Sequence, residues 1–131
     1  MKKIGVLNRD ISEVVASLGH KDTLVIADAG LPIPAETRRI DLALTEGIPS
    51  FLDTLRVVLT EMQVERAIVA EEMLEASPNV YQALNELLGD VSIETVTHLI
   101  FKEKTRSARA VIRTGEFTPY ANVILVSGVI F

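Results

Sequence analysis

The spacing of apolar residues changes several times along this chain, and each change marks an element. From Asn8 to Gly19 the apolar positions are Ile11, Val14, Val15 and Leu18, the three-to-four spacing of a helix face. Asn8 suits the helix start and Gly19 its stop. Thr23-Leu24-Val25-Ile26-Ala27 then runs without alternation and is rich in β-branched residues, the pattern of a strand covered on both faces. Asp28-Ala29-Gly30-Leu31-Pro32-Ile33-Pro34 breaks regular structure, and Arg39 to Leu44 predicts a second strand. Ser50, with Asp53 three residues on, resembles a capping box that opens a helix through Leu52, Leu55, Val58 and Leu59. Val64 to Ala70 predicts a strand, and Ser77-Pro78 the cap and first turn of a helix ending at Gly89. Val91 to Val96 is a further strand, Thr97 a cap for a helix starting at His98, and Ala108 to Ile112 and Val123 to Val126 the last two strands.

Strands that alternate with helices predict an α/β fold: a layered domain with a mainly parallel sheet flanked by helices on both faces. The chain has 131 residues and neither a linker-like tract nor a repeat, so residues 1–131 are expected to form one domain. In such sheets ligands bind beyond the carboxyl ends of the strands. Asp28 follows one predicted strand end, His98 another, and the segment Arg113-Thr114-Gly115-Glu116-Phe117-Thr118-Pro119-Tyr120-Ala121-Asn122 a third. That last segment carries a guanidinium, a carboxylate, two hydroxyls, a phenol and an amide, far more directional hydrogen bonding than a turn requires. Such a set suits a small polyhydroxylated ligand.

Charge and composition narrow the partners. A net charge of −5 and scattered Lys and Arg do not make the basic surface that nucleic acid requires. Met1-Lys2-Lys3-Ile4-Gly5 has a basic pair but no apolar run of about 7–15 residues after it, so no signal peptide is expected. No apolar stretch reaches the ~18 residues of a membrane span. The chain has no Cys, which removes disulfides, thiolate metal sites and cysteine nucleophiles and fits a reducing cytoplasm. Yet 48% of the residues are hydrophobic, and the end, Val123 to Phe131, is apolar almost throughout. An end of this kind requires cover: an oligomer is expected to provide it, the alternative being a final central strand inside a monomer.

Several chemistries lack their residues. There is no G-x-x-x-x-G-K or G-x-G-x-x-G phosphate cradle, no G-x-S-x-G elbow and no H-E-x-x-H metal spacing. Neither a metal nor a nucleotide cofactor is expected. Asp28 and Glu116 stay open as a carboxylate pair of the kind glycosidases use. Of the two histidines, His20 sits at a predicted helix end, where it reads either as an ordinary cap or as a titratable group beside a site. His98 and Lys102, spaced i, i+4, can face one site from a single helical turn. Imidazole, carboxylate, lysine, phenol and amide together suit proton transfer on a neutral sugar.

These residues resemble the D-ribose pyranase family, relatives of the L-fucose mutarotases. The resemblance rests on Lys2-Lys3-x-Gly5-x-Leu7-Asn8, Leu18-Gly19-His20-x-Asp22, Ile26-Ala27-Asp28-Ala29-Gly30-Leu31-Pro32-x-Pro34, and Val111 through Asn122. The mutarotases share the Gly-His, Asp-Ala, Thr-Gly-Glu and Tyr-x-Asn elements. They depart in the Gly-Leu-Pro-x-Pro segment and between Glu116 and Tyr120, where this chain follows the pyranases. The resemblance implies a cytoplasmic isomerase that interconverts the β-pyranose and β-furanose forms of D-ribose, supplying ribokinase, without cofactor or metal. It implies His20 as the catalytic acid and Asp28, His98, Lys102, Tyr120, Ala121 and Asn122 as substrate-binding residues. It also implies a homodecamer of two stacked pentamers with sites at subunit contacts. A mutarotase of another sugar, or a non-catalytic sugar-binding accessory of a transporter, stands as the alternative.

Overall fold

Three residues begin helices with the bonds their types predict. In the computed structural model, which describes all 131 residues, the Asn8 side chain accepts from Ile11 N at 2.9 Å and opens α1 (Arg9–Ser17). Ser50 accepts from Asp53 N at 3.1 Å and opens α2 (Phe51–Leu59). A third such bond, from Ile100 N to the Thr97 hydroxyl, opens α5 (His98–Lys104). Between them lie α3 (Glu72–Ala76) and α4 (Pro78–Leu88), and a short 3-10 turn follows α5 at Thr105–Ser107.

The strands are β1 (Thr23–Ala27), β2 (Arg39–Asp41), β3 (Val64–Ala70), β4 (Ser92–Val96), β5 (Ala110–Arg113) and β6 (Val123–Ser127). They form one sheet in the order β2-β5-β1-β6-β3-β4. β2 pairs parallel with β5, β5 with β1, and β3 with β4, while β6 lies antiparallel between β1 and β3. Five strands therefore share one direction and β6 alone opposes them, which makes the sheet mixed but mainly parallel.

Side chains alternate across each strand, so the sheet feeds two cores. Leu24, Ile26, Ile40, Ala67, Val69, Ile112, Val123 and Leu125 face α1, α2, α3 and α4, against Val14, Leu55, Met73 and Leu84. Val25, Ala27, Ile68, Val111, Ile124 and Val126 face the other way, covered by Phe101 of α5, Leu31 and Ala108. Helices thus lie on both faces, in unequal number.

Three details differ from the sequence expectations. The strand from Arg39 stops at Asp41: Leu42 N makes the last bond to β5, at the Arg113 carbonyl, and the chain then turns into a hairpin-like bridge from Thr45 to Ile48. Helix α3 was not legible, since five residues cannot show a 3.6-residue period. Its presence changes Ser77, whose hydroxyl caps nothing and instead donates to the Met73 and Pro119 carbonyls at 3.3 and 2.9 Å.

Candidate active site

Two segments leave the same end of the sheet side by side, residues 28–32 after β1 and 114–122 after β5, and hydrogen bonds join them. The Ala27 carbonyl accepts from the N–H and hydroxyl of Thr114, at 3.0 and 2.7 Å. Ala29 N donates to the Glu116 carbonyl at 2.8 Å, and Arg113 Nε to the Ala29 carbonyl at 3.0 Å. The Asp28 N–H donates to Asn122 Oδ1 at 2.8 Å, and Asn122 Nδ2 returns a bond to Asp28 Oδ2 at 2.9 Å. Asp28 Oδ1 accepts from Gly30 N at 2.9 Å. One carboxylate is thereby held by a buried amide and a backbone turn, with lone pairs left over.

Glu116 organises the far side of the loop. Its Oε1 accepts from Phe51 N, in the first turn of α2, at 3.0 Å. Its Oε2 accepts from the Thr118 hydroxyl at 2.9 Å and Thr118 N at 3.3 Å. With its oxygens bonded to the helix start and to its own loop, Glu116 is a clasp, and it lines the same cavity as Asp28. Gly115 beside it is backed by the 45–48 turn; a Cβ there would lie 2.5 Å from the Ile48 and Thr45 carbonyl oxygens. Glu116→Ala is expected to cost about 1–3 kcal/mol, because it strands donors that the carboxylate serves. The check is a lower urea midpoint with unchanged m-value at fixed protein concentration.

Tyr120 adopts a left-handed backbone, φ 61°, where residues other than Gly, Asn and Asp are uncommon. The kink is fixed by Asn122 N donating to the Tyr120 carbonyl at 2.8 Å and by Ser77 holding Pro119. It turns the phenol ring edge-on to His98, with centroids 5.0 Å apart at 86°. His98 also stacks on Phe101, and its backbone N–H donates to the Glu72 carboxylate at 2.8 Å. The ring's Nδ1 is buried and has no partner in the chain. Such orphans are rare in folded proteins and mark a place where something else bonds.

These groups enclose a cavity of about 560 Å³ lined by Asp28, Leu31, His98, Arg113, Phe117 and Tyr120, among others. That is within the size range of small-molecule sites. Of the residues expected from sequence, Asp28, His98 and Tyr120 line it. Ala121 and Asn122 lie fully buried, and Asn122 reaches the cavity through Asp28. Lys102 lines an adjoining cavity of about 380 Å³ that shares Pro32 with the first.

His20 lies elsewhere. It precedes β1, whereas Asp28 follows it, so the strand's five residues, roughly 16 Å of chain, separate the two ends. His20 is about half exposed, and its Nε2 lies 2.8 Å from Glu65 Oε2 at the start of β3. The turn that carries it is firmly built. Asp22 accepts from Gly19 N at 2.8 Å and from Arg109 at 3.2 Å, contacts that hold its carboxyl below the ordinary value of 3.8, Gly19 having the larger effect. Lys21 takes a left-handed φ of 70° and bonds its N–H to the Ser127 carbonyl. Because the two histidines occupy opposite ends of the sheet, one chain cannot join them around a metal, and no cluster of three or more His, Cys, Asp or Glu forms anywhere.

The sequence model of the RbsD / FucU transport protein family matches residues 1–130. The chain belongs to this family. RbsD/FucU relatives include proteins named D-ribose pyranase from Chloroflexus aggregans, 58% identical, and Coprothermobacter proteolyticus, 56% identical, each over 100% of both chains. Among solved structures, RbsD from Bacillus subtilis complexed with D-ribose superposes with a TM-score of 0.97 at 49% identity, covering 100% of both chains. The fucose mutarotase from Streptococcus pneumoniae, complexed with L-fucose, shares the fold with a TM-score of 0.82 at 23% identity, over 95% of each chain. The RbsD/FucU fold is thus the α/β layered arrangement described above. No helix is long and apolar enough to cross a membrane.

Sequence reasoning missed Glu65 and Glu72, and it gave no role to Arg113. Glu72 left no signal, because its carboxylate meets His98 only through the packing of α3 on the start of α5. Glu65 did leave one: Glu65-Arg66 puts two charged residues together in a run that is otherwise apolar.

Proposed function

We propose that this protein interconverts the pyranose and furanose forms of D-ribose, as an isomerase without cofactor. The observation that carries this reading is the full-length, 58% identity to a relative named D-ribose pyranase. The cavity supports it on chemical grounds. Changing ring size means opening a hemiacetal, rotating, and closing through another hydroxyl. Opening puts a proton on the ring oxygen as its bond to C1 breaks, and removes the proton of the anomeric hydroxyl as C1 becomes a carbonyl. Closure reverses these transfers at a different hydroxyl, so no net proton is consumed. A positioned acid–base group contributes ~10²–10⁴-fold to such a step, which suffices for a reaction that already proceeds unaided.

In this reading Asp28, fixed by Asn122, accepts from sugar hydroxyls. His98 and Tyr120 supply the wall, with the His98 Nδ1 as a bonding site. The backbone of Ala121 shapes the kink that aims Tyr120, and Lys102 steadies negative charge at the rim. His20 is the proton donor, and it comes from a neighbouring copy, since its own cavity lies at the far end of the sheet. The site is then complete only at a contact between subunits.

A decamer of two stacked pentamers fits the surface. Such an assembly requires three contact patches on each chain, two unlike ones that meet around the ring and one that meets its like between rings. One apolar face surrounds Leu7, Ile48 and Val57 over α1 and α2. Another comprises Leu99, Ile100 and Phe117 on the α5 side of the sheet. A chain without Cys acting on a sugar en route to phosphorylation belongs in the cytoplasm.

Two-dimensional NMR exchange spectroscopy tests the function. Adding the protein to D-ribose is expected to increase the pyranose–furanose exchange rate in proportion to its concentration. Acceleration of anomer exchange in L-fucose alone would make the protein a mutarotase of another sugar. Ribose binding with no change in any exchange rate would make it a binding accessory.

A further inference from the structure

β3 and β6 do not pair evenly. Val64 is opposite Ser127 and Arg66 opposite Val126, so two steps along β3 match one step along β6. Glu65 is the extra residue, and a bulge of this kind re-aims a side chain that regular pairing would send elsewhere. Here it brings Glu65 Oε2 within 2.8 Å of His20 Nε2, across a sequence separation of 45 residues. The residue just past β6 makes room: a Cβ on Gly128 would lie 3.1 Å from Glu65 Cβ and 3.3 Å from its backbone nitrogen. The His20 turn is tied to the same place, since Lys21 N bonds the Ser127 carbonyl and Ser127 N the Asp22 carbonyl, both at 2.8 Å. Gly128 N closes the arrangement with a bond to Gln63 at 2.9 Å.

We infer that Glu65 is the positioning residue of His20, and that the β3 bulge with Gly128 exists to place it. This rests on the reading of His20 as the proton donor. A carboxylate only accepts, so the imidazole nitrogen facing it must carry hydrogen. The neutral ring is thereby fixed as the Nε2–H tautomer, with its lone pair on Nδ1. When the ring takes up a second proton, that proton sits on Nδ1, the nitrogen without a partner in the chain. Nδ1–H then donates to the ring oxygen of the sugar as the C1–O bond opens, while the anomeric hydroxyl gives its proton to water; on closure the same nitrogen receives the proton of the hydroxyl that forms the new ring, and water returns a proton to the anomeric oxygen. Glu65 accepts the Nε2–H bond throughout and holds the ring plane. Without it the imidazole would rotate and divide between tautomers, so that part of the population would present the wrong nitrogen.

Three chains decide the matter: the parent, Glu65→Ala and Glu65→Gln, each assembled, with ribose exchange measured for kcat and KM. Labelled histidine gives the ring nitrogen shifts, and with two histidines in the chain His20→Ala assigns them. We expect kcat of Glu65→Ala to fall about 10-fold or more, within the ~10²–10⁴-fold that a positioned acid–base group supplies. KM should stay within about twofold, and the His20 nitrogen shifts should move from one tautomer towards a mixture. Glu65→Gln, which keeps the size and an accepting oxygen, should lie between the two and should retain the assembly if Glu65→Ala loses it. A parental kcat in both variants would overturn the inference. So would unchanged His20 shifts, or a loss of kcat matched by a rise in KM, which would make Glu65 a structural residue. If the parent itself failed to accelerate ribose exchange, the substrate reading would fall, while the nitrogen shifts would still report whether Glu65 sets the His20 tautomer.

Discussion

His20→Ala chains are expected to bind ribose and assemble normally yet lose the ~10²–10⁴-fold acceleration of ring exchange that a positioned acid–base group supplies. Asp28→Ala chains should be inactive for a different reason, because ribose no longer lodges in the cavity. If each site draws His20 from one copy and Asp28 from its neighbour, oligomers unfolded and refolded from an equal mixture of the two should recover activity. With random assembly about a quarter of the sites receive both residues, so about a quarter of the parental rate should return. Recovery requires a shared site, since neither chain alone holds both groups. A mixture that stays silent despite proven co-assembly would place the chemistry within one chain, and His20 would then lie too far from Asp28 to take part.

Much of this arrangement was written in the sequence, and what was missing has identifiable causes. Helix starts were legible at Asn8, Ser50 and Thr97, because a cap is a local bond between residues three apart. The strands were legible as apolar runs, but such a run carries no direction, so the opposed course of β6 could not be read from Val123 to Val126. Ser77 looked like a cap because Pro78 follows it; the hydroxyl turned to the Pro119 carbonyl because α3 ends directly against α4 and the Tyr120 loop packs over the joint. The convergence of Asp28, His98 and the 113–122 loop followed from one rule about strand ends, and these three segments do line a common cavity. Distances that depend on tertiary packing left weaker traces. The Asp28–Asn122 pair spans 94 residues, and His20–Glu65 forms where a bulge shifts β3 by one position.

The chain end gives the second large effect. Directly after β6 the chain presents Val129, Ile130 and Phe131, with Ile130 87% and Phe131 100% exposed. Full burial of such side chains is worth ~1.5–3 kcal/mol each, so leaving them in water forgoes much of what holds a subunit contact together. They emerge beside the His20 turn, since Ser127 bonds both Lys21 and Asp22. A neighbour that received His20, as proposed, would therefore also meet this tail. Removing Val129 to Phe131 is expected to shift the protein to smaller species in sedimentation and, by separating His20 from the cavity it is proposed to serve, to abolish accelerated ribose exchange. The folded chain should survive, because the removed residues lie outside both cores. A truncated chain that sediments as the parent does would free the tail from any role in the contact. One that disassembles yet keeps the parental exchange rate would show that a single subunit holds the whole site.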